Sequence, residues 1–274
     1  MLFIKILNKL NLLGYFNLIG KIQLNGRNFN IPIIKNLGIE NIYISEPWMI
    51  GLFQTLGVKE GKFLDIGVNI GQTLLKLKSV NKDIEYIGFE PNPNCVFYSN
   101  ELILANQFEN TTIIPTGIST ECGILKLNFY SNKISDPSAS IIDNFRPGEE
   151  IKYSKYITIN TIDNIAKSCQ LDEVTMIKID VEGAELEVIE SLIDLLKRNK
   201  PIILIEILPV YSEKNRSRLE RQQKIEVILK KLDYLTYRVK KKGSKFESLE
   251  KIESLGVHSN LEACDYVFKP KTNP

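Results

Sequence analysis

The run Met176-Ile177-Lys178-Ile179-Asp180-Val181-Glu182-Gly183 carries a charge at every second position. In an extended chain that period puts Lys178, Asp180 and Glu182 on one face. Charges on an otherwise apolar strand are costly unless they are paired or used. Two uses fit. A placed carboxylate can take a proton from a reacting group; alternatively, Lys178 is in a structural ion pair and Glu182 caps the following helix. Glu206 ends the next apolar run, Ile202-Ile203-Leu204-Ile205, where it can meet Lys178 or Asp180.

A second constellation lies at Phe63-Leu64-Asp65-Ile66-Gly67-Val68-Asn69-Ile70-Gly71-Gln72. Gly67 lets the backbone turn and a ligand approach, and Gly71 opens a helix without a side chain in the way. A plain strand-to-helix turn would ask for the same glycines. The spacing is GxxxG, so neither the dinucleotide fingerprint nor a P-loop is present, and a ligand without a pyrophosphate fits better. Asp65 suits a ligand with a cationic or amine group. Glu90 ends the next apolar run, about 20 residues on, where an acidic side chain accepts hydrogen bonds from ribose hydroxyls. A helix-start carboxylate would occupy the same place. Asn92, just beyond, is assigned to the same site. Together these residues describe an adenosine-type ligand without phosphates, and S-adenosylmethionine answers that description.

The elements that must position these groups alternate from residue 62 onward. Strands are expected at Phe63–Ile66, Ile84–Glu90, Thr112–Ile118, Ile124–Tyr130, Met176–Val181 and Ile202–Ile207, with two late ones near Tyr234–Val239 and Asp265–Lys269. Helices are expected at Gln72–Val80, Cys95–Ala105 and Ala184–Leu196, and one opens at the capping-box sequence Ser217-Arg218-Leu219-Glu220. Alternation with near-continuous apolar strands predicts an α/β fold, a mostly parallel sheet with helices on both faces. Such sheets bind ligands at the carboxyl ends of their strands. Residues 1–60 form an extension and residues 61–274 the main domain. The extension holds a hairpin around Asn25-Gly26 and a short helix near Glu46-Pro47. Its first residues, MLFIKILNKLNLLGYF, are broken by Lys5, Asn8, Lys9 and Asn11 and read as an amphipathic helix rather than a signal peptide. Phe3, Ile6, Leu7, Leu10 and Leu13 would pack on the domain, on a second copy in a homodimer, or on a membrane surface.

Composition narrows the field. Lys and Arg number 35 against 33 Asp and Glu, so no whole-chain field favours nucleic acid. The run Arg238, Lys240, Lys241, Lys242 and Lys245 could touch phosphates, but a solvated turn between late strands explains it equally well. Cys95, Cys122, Cys169 and Cys264 are scattered without a CxxC pair, which fits neither zinc nor a disulfide scaffold and points to a cytoplasmic setting. No apolar stretch reaches membrane-spanning length. The polar segment Ser131–Tyr156 is too long for a plain connection and reads as a lid or binding loop. Its Asp136, Ser138, Ser140, Asn144 and Arg146 could hydrogen-bond a polyhydroxylated acceptor, with Pro137 and Gly148 as hinges. The N-terminal 60 residues are the other candidate wall.

FLDIGVNIGQ, IGFEPNP, TIDNI, IKIDVEGAELEVIESL and ILIE, in that order and spacing, resemble the FkbM-type S-adenosylmethionine-dependent methyltransferases. The resemblance covers residues 60–210, and the KIDVEGAE block is its most specific part. It implies the class I (Rossmann-like) methyltransferase fold, seven-stranded, and O-methylation of a hydroxyl on a sugar, a surface polysaccharide or a related natural product. By the same likeness Asp65, Gly67, Asn69 and Gly71 cradle the methionine part, Glu90 the ribose, and Gly117 and Ile118 the adenine. Relatives often carry a histidine two residues after the position of Glu206, where this chain has Leu208. The single histidine, His258, lies outside the matched region. Carboxylates must therefore do the proton work: Asp180 as base, with Glu182 or Glu206 orienting the acceptor. A Mg²⁺ ion between Asp180 and Glu206 is the minority alternative, and no metal is assigned. The rival readings are a nucleic-acid methyltransferase and a non-catalytic cofactor-binding protein of the same fold.

Overall fold

Asn25 and Gly26 take left-handed conformations (φ 46° and 78°), the geometry of a two-residue turn that matches strand twist. They join β1 (Asn17–Leu24) to β2 (Arg27–Ile34) in an antiparallel hairpin. The computed structural model describes residues 2–10, 12–58, 60–142 and 148–271. Before the hairpin runs α1 (Leu2–Lys9), and after it α2 (Trp48–Leu56). Then follow β3 (Lys62–Ile66), α3 (Gln72–Val80), β4 (Glu85–Phe89), α4 (Pro93–Asn106) and β5 (Thr111–Ile114). The short β6 (Gly117–Ile118), β7 (Gly123–Phe129) and β8 (Tyr153–Asn160) precede α5 (Ile162–Ala166) and β9 (Val174–Ile179). The chain continues through α6 (Glu185–Ser191), α7 (Ile193–Asn199), β10 (Ile202–Glu206), α8 (Arg216–Lys231), β11 (Tyr234–Lys242), β12 (Lys245–Lys251) and β13 (Asp265–Pro270).

The main sheet has eight strands in the order β12-β11-β13-β10-β9-β3-β4-β5. The five from β10 to β5 are mutually parallel. β13 enters antiparallel between β10 and β11, and β12 pairs antiparallel with β11. The sheet is thus mixed and eight-stranded, one strand more than expected, because the basic run forms a hairpin rather than a solvated turn. Its charges are used at home: Lys240 pairs with Glu250 at 2.9 Å, Lys241 with Asp265, and Arg238 donates to the Leu255 carbonyl at 2.8 Å.

Each central strand divides its side chains between two apolar layers. Leu64, Ile66, Ile177, Ile179, Ile203 and Ile205 join the layer that contains α6, α7 and α8. Phe63, Met176 and Leu204 join the opposite layer, with Trp48, Leu52 and Phe53 of α2 and Leu74 and Leu77 of α3. By period two, Asp65, Lys178 and Glu206 belong to this second face, under α2 and α3. A third cluster packs the hairpin and α1 against α4.

Several boundaries differ from expectation. The third strand breaks at Pro115-Thr116, and Gly117–Ile118 turn away to pair with β8 in a separate three-stranded sheet. β8 itself starts at Tyr153, inside the segment read as loop. α6 and α7 divide at Leu192, and α8 is capped by Asn215, which accepts from the Arg218 N–H at 3.3 Å, ahead of the expected box. Of the expected stripe Leu7 and Leu13 are buried, whereas Ile6 (46%) and Leu10, just past α1 (60%), are exposed and Ile4 is buried in addition.

Candidate active site

β9 ends at Ile179, so Asp180 and Glu182 stand on the turn beyond it and not on the strand face. Glu182 and Gly183 both have positive φ (50° and 110°), which stops the strand and swings the chain into α6. Lys178 stays on the strand, buried beneath. Its ammonium meets Asp180 Oδ2 at 3.1 Å, the Gly67 carbonyl at 3.2 Å and Asp65 Oδ1 at 3.5 Å. Burial works against this charge, but the two aspartates outweigh it and hold Lys178 above its ordinary range.

Asp65 is completely buried, accepting from the Tyr86 hydroxyl as well as facing Lys178. It does not line the cavity, so its carboxylate serves the Lys178 network rather than an amine-bearing ligand. Gly67 does border the cavity, yet its conformation has a different cause. With φ +92°, a Cβ there would lie 1.8 Å from the Asp180 carbonyl oxygen. The turn after β9 occupies the place a Cβ would take, so packing alone requires a glycine here, while the residue's other side faces the cavity. Gly71 is likewise a packing glycine: a Cβ would meet Leu102 of α4 at 2.9 Å, and the residue lies off the cavity wall.

The cavity measures about 520 Å³ and opens along the carboxyl ends of β3, β4, β9 and β10. At one end Pro91, Gly117, Ile118 and Leu127 form an apolar slot. Beside it stands Glu90, whose Oε2 accepts from the Asn69 N–H and Oε1 from the Asn92 N–H, both at 2.7 Å. Burial raises Glu90 to about 7 despite those two bonds. Asn92 caps α4 and ties down the neighbouring loop, donating from Nδ2 to the Ile134 carbonyl at 2.9 Å. At the other end lie Lys178, Asp180, Glu182 and Glu206. Burial, together with the negative charges of Asp180, Asp265, Glu182 and Glu46, lifts Glu206 to about 9. The direction of that shift favours the protonated acid, which can donate a hydrogen bond.

The acceptor residues expected in the loop are mostly spent on the loop itself. Asp136 borders the cavity, but its oxygens accept the N–H groups of Tyr130, Ser131 and Ser138 at 2.7–3.0 Å. Ser140 is buried off the wall and donates to the Glu182 carbonyl at 2.6 Å. Ser138 is also off the wall, and Asn144 and Arg146 fall outside the described residues. Side chains that the sequence reading missed make up the polar wall: Glu40, Tyr43, Ser45 and Glu46 before α2, and Gln72, Thr73 and Lys76 on α3. Gln72 staples the two together, accepting from the Ser45 N–H at 3.0 Å and donating to the Glu40 carbonyl at 3.2 Å. Sequence signals for these were faint, since polar residues on a short helix read as a solvated face. Among the described residues no group of three or more His, Cys, Asp or Glu side chains is arranged to hold a metal, and no helix is long and apolar enough to cross a membrane. His258 lies away from the cavity, 3.0 Å from the Tyr266 hydroxyl.

A family model described as the methyltransferase FkbM domain matches residues 65–239, more than half of the chain. Among solved structures, the chain is similar to a methyltransferase FkbM from Methylobacillus flagellatus KT, at 18% identity and a TM-score of 0.47. That likeness covers 76% of this chain and 43% of the other, so the chain spans less than half of that protein's length. It is also similar to a precorrin-6y C5,15-methyltransferase from Geobacter metallireducens (10% identity, TM-score 0.40, 80% and 86% of the two chains). A third similar structure is an SAH-bound methyltransferase from Podospora anserina (10%, 0.44, 83% and 78%). No curated protein matches the chain.

Proposed function

The chain belongs to the FkbM methyltransferase family, and from that premise we propose that it transfers a methyl group from S-adenosylmethionine to a hydroxyl of a sugar or glycan. One observation carries the reading: a single cavity joins Glu90 and its apolar slot to the Lys178–Asp180–Glu206 cluster. The donor set fits the cofactor. Ile118, Leu127 and Pro91 give an adenine an apolar slot, and Glu90 offers a carboxylate to two ribose hydroxyls. When bound, S-adenosylmethionine supplies a methyl group activated by its sulfonium.

The side chains at the far end then do the rest. Asp180, with its side chain 32% exposed, accepts the proton that the acceptor hydroxyl loses as the new bond forms. Lys178 fixes Asp180 at 3.1 Å and so fixes the direction from which that proton leaves. Protonated Glu206 donates to a neighbouring acceptor oxygen and orients it. Alignment of this kind can supply about 7–11 kcal/mol of the barrier. The first stretch of the loop, residues 131–142, walls the acceptor side through Lys133, Ser135, Pro137 and Ile141 and excludes water. A sugar hydroxyl is favoured because the wall is polar, from Tyr43 and Ser45 round to Gln72. The proposed setting is the cytoplasm, where acceptor and cofactor meet.

The test is transfer of a labelled methyl group from S-adenosylmethionine into glycans and metabolites of cells lacking the gene, read by mass spectrometry. Label should appear on a sugar oxygen with the wild-type chain and fall by two orders of magnitude or more with Asp180→Asn, while cofactor binding persists. Label on a base of nucleic acid, or equal turnover by Asp180→Asn, would refute the acceptor class or the role of Asp180 respectively.

A further inference from the structure

Among the described residues three lysines are almost fully enclosed: Lys76 and Lys78 at 1% exposure and Lys178 at 4%. A buried ammonium has three donors and is costly to leave short of partners. Lys78 meets the carbonyls of Lys82, Ile84 and Glu109 at 2.9–3.1 Å. Lys178 is held by Asp180, Gly67 and Asp65. Lys76 is different. Among the described residues its partners are Glu46 Oε2 and the Met49 sulfur, each at 3.5 Å. A thioether is a weak acceptor, and 3.5 Å is well beyond the 2.7–2.9 Å of a good charge-assisted bond. Both Lys76 and Glu46 border the cavity. Glu46 is a non-glycine residue with φ +50°, a conformation that signals constraint.

The place of this loose pair matters as much as its chemistry. Thr73 and Lys76 line the cavity from α3, and the pair lies within electrostatic reach of the carboxylate end, Lys76 of Lys178 and Asp180 and Glu46 of Glu206. A nucleoside whose ribose is held by Glu90 must extend its other substituent past Val68 and Asn69 toward that end. In S-adenosylmethionine the substituent ends in an α-amino acid, one carboxylate beside one ammonium. Lys178 is saturated and Lys133 is 65% exposed, with water to satisfy it, which leaves Lys76, among the described residues that line the cavity, as the buried cation short of partners.

We propose that Lys76 and Glu46 form a clamp for the α-amino acid end of the cofactor, Lys76 Nζ donating to its carboxylate and Glu46 accepting from its ammonium. The proposal rests on the S-adenosylmethionine reading and adds to it a charge pair from two elements, α3 and the segment before α2. Binding would thereby fasten the N-terminal extension to the main domain across the cavity mouth.

The test compares two ligands on the full chain by calorimetry. S-adenosylhomocysteine carries the amino acid end; 5′-methylthioadenosine lacks it and keeps the nucleoside. Lys76→Met should weaken S-adenosylhomocysteine about 10–100-fold and leave methylthioadenosine within about twofold. The second ligand also reports whether the variant is folded. Glu46→Gln, on a part-exposed segment, should show the same selectivity at smaller size. If both ligands weaken equally in both variants, the pair is structural and the clamp is wrong. If neither ligand weakens while an acceptor's KM rises, the pair serves the acceptor and the clamp is again wrong. A wild-type chain that binds neither ligand would overturn the cofactor reading itself, a result distinct from the other two.

Discussion

Glu90 joins two demands that pull against each other. Burial raises it to about 7, while the N–H groups of Asn69 and Asn92 favour its charged form. Ribose hydroxyls are donors, so they bind the carboxylate better than the acid. Affinity for S-adenosylhomocysteine should therefore rise between about pH 6 and pH 8 and level off above. Glu90→Ala should cost about 1.5–3 kcal/mol in calorimetry and remove that pH dependence. Stability runs the other way. Glu90 and Glu206 are raised in the folded chain, to about 7 and about 9, from an ordinary value of 4.5. The folded chain thus holds protons that the unfolded chain has released. The stability they contribute is full below about pH 4.5 and is lost as pH rises through 7 and then 9. Thermal unfolding of the ligand-free chain should show a falling Tm across that window, and Glu206→Gln should flatten its upper half. An unchanged slope in that variant would mean that Glu206 is ordinary. The carboxylates at strand ends were legible in the sequence because a charge interrupting an apolar run stands out. Lys76 and Glu46 were not. A lysine among Leu74, Leu75 and Leu77 looks like the wet side of an amphipathic helix, and only the packing of residues 40–46 over α3 turns it inward.

Scale up to the turn after β3, and the glycines change meaning. Gly67 borders the cavity on one side, and on the other the place of a Cβ is filled by the Asp180 carbonyl. The β3 and β9 turns are therefore built as one piece, which positions Asp180 over Lys178. Gly67→Ala should destabilise the chain by about 2–6 kcal/mol, combining backbone strain with overpacking, measured from the urea midpoint. A cost under about 0.5 kcal/mol would show that the two turns are not in contact. Strand identity was readable wherever both faces are apolar, as in β3, β9 and β10. It failed where the strand is polar and half exposed, as in β8, which begins in a polar segment, and in β12 (Lys245–Lys251) at the sheet's edge. The bend at Pro115-Thr116 likewise depends on where β6 goes, which no local pattern encodes. The loop from Ser131 was correctly placed beside the cavity. Among its described polar side chains, however, Asp136 accepts N–H groups of the loop itself and Ser140 donates to the Glu182 carbonyl, while the Ile134 carbonyl accepts from Asn92.

At the scale of the whole molecule, the parallel strands put Glu90, Asp180 and Glu206 along one edge, and the N-terminal extension covers the cavity from the side of α3. Asn41, fully buried, donates to the Ile70 carbonyl at 2.7 Å and anchors that cover just beyond the glycine turn. This division of labour was half visible. Strand–helix alternation announced the sheet and the edge that binds. The extension is a candidate wall from its sequence, but which of its residues reach the cavity is not legible, because its contacts are made with α3 and α4 far along the chain. This edge binds S-adenosylmethionine and not a dinucleotide, a preference that calorimetry of the full wild-type chain can read. Titration with S-adenosylhomocysteine should give saturable one-to-one binding, and NAD should give none. Saturable binding of NAD with none for S-adenosylhomocysteine would contradict the account.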